Sequence, residues 1–259
     1  TLSDGQKVVI TSAEYNKYRA SANRADREIV FTSFWNNYTK FKASYGEMLY
    51  GNVKGDWFNA KARNYGSSLE AALYPGNIPV EVYNALIDNV NKNLPTFHRY
   101  LQIKKRMLGV DTLKYLDLYA PTVKNVDLRY DYEEASKLIL EALKPMGEDY
   151  IAVVKKAIDE RWIDVYPTLG KQSGAYSGGI YGIHPFVKLN YVGLYNDVGT
   201  MAHELGHTMH SYLSNKTQPF PTADYQTFIA EVASTFNEVL LFNYMTRTVK
   251  DEDVKLSLL

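Results

Sequence analysis

Asp197-Val198-Gly199-Thr200-Met201-Ala202-His203-Glu204-Leu205-Gly206-His207-Thr208-Met209-His210-Ser211-Tyr212-Leu213 carries two patterns at once. At 100° per residue, Val198, Ala202, Leu205, Met209, Tyr212 and Leu213 gather on one side of a helix. His203, His207 and His210 fall on the opposite side, and Glu204 is offset from His203 by about 100°. The stretch therefore reads as a helix, with Asp197 able to cap it, that buries one face and presents a histidine pair on the other. Two imidazoles at i and i+4 can reach one ion at about 2.1 Å each, and Gly206 has no side chain to crowd the approach. His203-Glu204-Leu205-Gly206-His207 is H-E-x-x-H, the zinc-protease pattern in which the glutamate serves as general base. The plain alternative is a pair of surface histidines beside an ordinary glutamate.

A catalytic zinc needs a third protein ligand and an open position. His210 lies seven residues from His203, a rise of about 10.5 Å, too far along one straight helix to converge on the same ion. It reads as a supporting or substrate-contacting residue, or as a half-buried histidine bonded to a carbonyl. Leu213 stands where the longer pattern H-E-x-x-H-x-x-G-x-x-H has its third histidine. A second helix supplies a candidate. After Pro219 and Pro221 a helix opens near 222–224, with Val232, Phe236, Val239 and Leu240 as its expected apolar side. Glu231, Ser234 and Glu238 form a polar stripe on it. Carboxylates aimed into a core are costly unless paired or on a metal, which points to Glu231 as third ligand and Glu238 as its support. A solvent-facing polar stripe is the competing reading.

Around this motif the chain is mostly helical. Thr11-Ser12-Ala13-Glu14 has the form of a capping box. Apolar residues at helical spacing predict a helix from about 22 to 50, followed by punctuation at Gly51, Gly55 and Gly66. Another runs from Pro79, as first helical residue, to Gly109. Asp131-Tyr132-Glu133-Glu134 opens a further helix that Pro145 must interrupt or kink. Val8-Val9-Ile10 reads as a short strand. From Trp162 the texture changes: six glycines fall between Gly170 and Gly193, and Phe186–Tyr191 alternates as a strand. The fold class is mainly α, with one small β-sheet beside the motif.

Composition excludes other chemistries. The 259 residues are one large or two small domains, with 46% hydrophobic and 22% charged residues, as in a folded chain. Lys+Arg and Asp+Glu are both 29, so no basic excess suggests nucleic acid or an anionic membrane. There is no cysteine, which removes disulfides, thiolate zinc, iron–sulfur clusters and a cysteine nucleophile. No stretch approaches the roughly 18 apolar residues of a membrane helix. The 22 tyrosines read as amphipathic core-and-edge residues. The chain starts at Thr1, and its end reads as a helix start at Asp251 cut off before it can pack. It reads as an interior piece of a longer protein, a mature chain with a frayed tail being the alternative.

Four segments resemble oligoendopeptidase F, a branch of the thimet-oligopeptidase-like zinc peptidases. They are Ser173–Ser177, His184–Tyr191, His203–Tyr212 and Phe228–Glu238, within a specific match from about Gly170 to Tyr244. The resemblance implies one Zn2+ per chain held by His203, His207 and Glu231, with Glu204 as general base. It places His184, Asn190, Tyr191, His210, Ser234 and Glu238 as supporting or substrate-facing residues, the strand at 187–191 lining the cleft. It also implies a helical region over 1–160 forming one side of that cleft, and a zinc-binding catalytic region over 161–259, truncated at its C-terminus. The expected substrate is a short oligopeptide, with no nucleic-acid or membrane partner, and the family habit is cytoplasmic. The family's oxyanion-stabilising tyrosine–histidine segment lies downstream of residue 259. Two rivals follow: a metal- and peptide-binding part that is completed elsewhere, and a helical module with a structural zinc. Structural zinc sites are usually closed by four ligands, and only three converge here.

Overall fold

A computed structural model of the chain describes residues 1–123, 126 and 128–258. The chain divides into two compact units, Thr1–Lys124 and Asn125–Leu259. Among the described residues no helix is long and apolar enough to cross a membrane.

The first unit is built from helices α1 (Ser12–Tyr18), α2 (Arg24–Thr39), α3 (Lys42–Ala62), α4 (Ser68–Leu73) and α5 (Val80–Met107). Thr11 accepts from the Glu14 N–H at the head of α1, and Gly109, at φ +63°, follows the end of α5. Pro79 is the cap of α5, one position before its expected place. The single helix expected over 22–50 is two, broken at Lys40-Phe41. Gly51 and Gly55 do not punctuate; they lie inside α3, a 21-residue helix long enough to carry glycines at about 1 kcal/mol each. Val8-Val9-Ile10 is not a strand, because among the described residues no second strand pairs with it. Val8 and Ile10 instead pack on the Leu2, Tyr15 and Val30 cluster. Asp117, fully buried, ties its own turn to α2 by accepting from Arg24 Nη2 at 2.8 Å and Arg27 Nη2 at 2.9 Å.

The second unit holds α6 (Tyr132–Ala142), α7 (Glu148–Asp159), β1 (Ile163–Asp164), β2 (Tyr176–Gly178), β3 (Phe186–Lys188), α8 (Tyr195–Thr217), α9 (Thr227–Thr248) and α10 (Glu252–Leu258). Asp131 and Glu134 close a reciprocal capping box on α6, and Pro145 sits in the short 3-10 turn that separates α6 from α7. The sheet order is β1-β3-β2, with β1 parallel and β2 antiparallel to β3. Val187, Leu189 and Tyr191 point into the core, as their alternation predicts. Asp251 caps α10, and Leu258, partly buried, packs against the core.

α8 buries Val198, Met201, Ala202, Leu205 and Met209 completely. Leu213, expected on that face, is 44% exposed, because the 23-residue helix, roughly 34 Å long, outruns the core. Asp197 stands three residues inside the helix start and caps it from there, accepting from the Val192 and Leu194 N–H groups. α9 departs further. Its expected apolar side is largely in solvent, with Val232 63%, Phe236 50% and Val239 50% exposed, while Ser234, Asn237, Leu241 and Met245 are buried. The reason lies in α8. Asn237 donates to the Ala202 carbonyl at 3.1 Å and accepts from the Tyr150 hydroxyl at 2.9 Å. This polar docking turns the small residues of α9 inward.

Candidate metal centre

α8 and α9 bring three ligand atoms into a near-equilateral triangle. His203 Nε2, His207 Nε2 and Glu231 Oε2 are each 3.2 Å from the other two. Helical spacing accounts for the histidines, one turn apart on α8; the pairing of α8 with α9 accounts for Glu231. Zinc bonds of about 2.0–2.1 Å place tetrahedral ligand atoms about 3.3–3.4 Å apart, so the trio fits one zinc ion. Among the described residues no fourth His, Asp or Glu joins the group.

The supporting contacts prepare the donors. His203 Nδ1 faces Glu238 Oε1 at 2.5 Å. Opposite a carboxylate this nitrogen carries the proton, which leaves Nε2 a lone pair for the trio. The Ser234 hydroxyl donates to Glu231 Oε2 at 2.6 Å. That bond holds the Glu231 carboxyl below its ordinary range, against the opposing effect of burial and with help from His207 and His203. Burial pushes the His207 imidazolium down, against the pull of Glu231. Deprotonated carboxylate and neutral imidazole are the forms a metal requires. Glu238 was expected to support Glu231; it supports His203, and Ser234 takes the other role. Ser234 and Glu238 are four residues apart on α9, and each meets its partner in the trio at its own level.

Glu204 is 6% exposed and its Oε2 has no hydrogen-bond partner. Burial pushes its carboxyl up, opposed by His203, reinforced by Glu231 and opposed again by the Ser177 N–H. The sheet register explains that amide. Val187 and Leu189 send their N–H groups to the β1 side, at Trp162 and Asp164. Ser177, opposite Val187, therefore turns its main chain away from β3 and towards Glu204. Its hydroxyl meets Thr208 Oγ1 at 2.9 Å, and Thr208 in turn donates to the Glu204 carbonyl at 2.8 Å. Sequence reasoning missed Ser177 and Thr208. A hydroxyl on the buried side of α8 was a visible signal for Thr208; a three-residue strand offers none for Ser177.

The remaining candidates stand apart from the trio. His210 stacks on Tyr225 at 3.6 Å, with its Nδ1 buried and unpartnered. His184 stacks on Trp162 at 4.4 Å and its Nδ1 meets the Pro185 carbonyl. Asn190 donates to the Gln172 and Gly174 carbonyls and so pins the glycine-rich loop. Tyr191 donates to the Tyr130 carbonyl at 2.8 Å from a buried position. β3 is the central strand of the sheet, with β1 and β2 at its two edges.

The model of Peptidase family M3 matches residues 17–257. Oligopeptidase PepF of Bacillus subtilis (strain 168) is 40% identical over 256 residues, covering 99% of this chain and 38% of that protein. A solved structure from Chlamydophila abortus has 39% identity and a TM-score of 0.78, covering 100% of this chain and 43% of its own. Oligoendopeptidase-F from Enterococcus faecium has 32% identity and a TM-score of 0.63, covering 98% and 38%. The chain thus spans about two-fifths of the length of these relatives.

Proposed function

Because the chain belongs to peptidase family M3, we propose that it is the zinc-binding part of an endopeptidase that hydrolyses short oligopeptides, with Glu204 as general base. The observation that carries the reading is the 3.2 Å triangle of His203, His207 and Glu231 beside a buried, unpartnered Glu204 oxygen. A zinc ion in that trio would supply Lewis acidity to a peptide carbonyl and to an attacking water. The protein's own residues do the rest. Glu204 Oε2 takes the water proton and returns it to the leaving amine. Its burial raises its proton affinity, as a group that must hold a proton between two steps requires. The outer edge of β2 gives an extended peptide a strand to pair with, next to Glu204.

A second reading is favoured by the share of the relatives that this chain covers. In it, the 259 residues bind metal and peptide, and transition-state stabilisation comes from elsewhere in a longer protein. One experiment separates them: cleavage of a quenched fluorescent oligopeptide by the zinc-loaded chain, beside Glu204→Gln. Cleavage that falls by roughly 10²–10⁴ in the variant, with zinc retained, supports the first reading. A chain that carries one zinc and cleaves nothing supports the second. Equal cleavage by both proteins sinks the role of Glu204.

A further inference from the structure

The backbones of α8 and α9 meet at Gly206. A methyl group there would lie 2.5 Å from the Ser234 Cα, 2.6 Å from the Ala233 carbonyl oxygen and 2.8 Å from its carbon. These neighbours are main chain, so none can swing aside. Gly206 lies inside α8, where a glycine costs about 1 kcal/mol relative to alanine. Its φ is not in the left-handed region, so backbone freedom does not explain it. Gly199, on the same helix, has open space where a side chain would be. What Gly206 supplies is close approach, rather than clearance for the metal.

That approach happens at the level of the trio. Gly206 adjoins His207 and lies one turn from His203. Ser234 lies one turn from Glu231, and its hydroxyl holds Glu231 Oε2 at 2.6 Å. Asn237 ties α9 to Ala202, on the other side of His203. The two helices are thus fastened above and below the point where Glu231 reaches the histidines.

We infer, resting on the metal reading above, that the Gly206–Ser234 crossing sets the metal affinity of this chain, with Gly206 and Ser234 as positioning residues. Gly206 lets α9 come close enough for Glu231 to complete the triangle, and Ser234 aims the carboxylate. Relaxing the 2.5 Å approach to an ordinary 3.4 Å contact opens the crossing by 0.9 Å. That is nearly half of a zinc–ligand bond of about 2.1 Å. The histidines would keep their places on α8, and the third ligand would leave.

The test is zinc affinity of the 259-residue chain, by competition with a chromophoric chelator, together with the visible spectrum of the Co2+-loaded protein. Gly206→Ala, folded by far-UV circular dichroism, is expected to bind zinc roughly 10–100-fold more weakly, the scale of lost support around a metal site. Its Co2+ bands should weaken as tetrahedral coordination is lost. Ser234→Ala, which leaves the helix contact intact, should lose about tenfold. Gly199→Ala should match the wild type. Wild-type affinity and spectrum in both Gly206→Ala and Ser234→Ala would overturn the inference. If Gly206→Ala does not fold, Ser234→Ala decides, and unchanged zinc binding there overturns it. A wild-type chain that takes up no zinc overturns the metal reading, and this inference with it.

Discussion

His203 is held from both sides of its ring: Nδ1 is 2.5 Å from Glu238 Oε1, and Nε2 is 3.2 Å from Glu231 Oε2. Both partners come from α9, so one helix supplies the ligand next to His203 and the carboxylate that fixes its tautomer. Removing Glu238 frees the ring to turn and to change tautomer. Glu238→Ala should weaken zinc binding about 10–100-fold, and Glu238→Gln, which can still accept from Nδ1, should lose less. Equal affinities for all three proteins in a chelator competition would show that Glu238 is a bystander.

Glu231 contributes the third atom of the triangle, and its side chain, which also accepts from Ser234, is 63% exposed. Glu231→Ala should therefore leave unfolding of the metal-free chain within about 0.5 kcal/mol of the wild type. The two should part when zinc is added. At 100 times its dissociation constant, a ligand stabilises the native state by about 2.7 kcal/mol. Thermal unfolding with and without zinc reads this directly. An equal rise in Tm in Glu231→Ala would remove Glu231 from the ligand set.

Thr208 is fully buried and joins the Glu204 carbonyl to the Ser177 hydroxyl. Its one proton goes to the carbonyl, so Ser177 is the donor in the second bond. Thr208→Val keeps the shape and removes both bonds. Urea unfolding should show a loss of about 1–2 kcal/mol. A stability equal to the wild type would mean that the Ser177–Thr208 hydroxyl contact does not hold β2 to α8.

Asp117 makes the first unit sensitive to acid. Burial would raise its carboxyl, but hydrogen bonds from Arg24, Arg27 and the Lys114 N–H outweigh burial and hold it at about 2. Its folded value lies below the unfolded one, so its contribution is complete above the unfolded value of about 4. It is lost as pH falls through about 2. The difference amounts to about 2 kcal/mol at neutral pH. Denaturation followed between pH 5 and pH 2 should show this acid limb in the wild type and a flatter one in Asp117→Asn. Parallel limbs would assign the acid sensitivity to other carboxylates.

The sequence by itself determined whatever depends on one segment. The i, i+4 pair on α8, the capping box on α6, the break at Pro145 and the inward side of β3 are all set within a few residues by backbone period and side-chain chemistry. The metal candidates were legible because two histidines on one helix share a face in any fold that keeps the helix. The azimuth of α9 was not legible. Phe228, Ile229, Val232, Phe236 and Val239 fall within about 100° of one another, so the helical period marks one apolar face, and it is the face that the structure leaves in solvent. The choice fell to the partner surface. α8 offers a glycine and a carbonyl, and these accept Ser234 and Asn237 in preference to bulkier neighbours. Only the tertiary structure could therefore place Glu238 on His203 and Ser234 on Glu231, and turn Ser177 towards Glu204. Each of those contacts joins segments that fix their own shape locally but take their relative position from close packing.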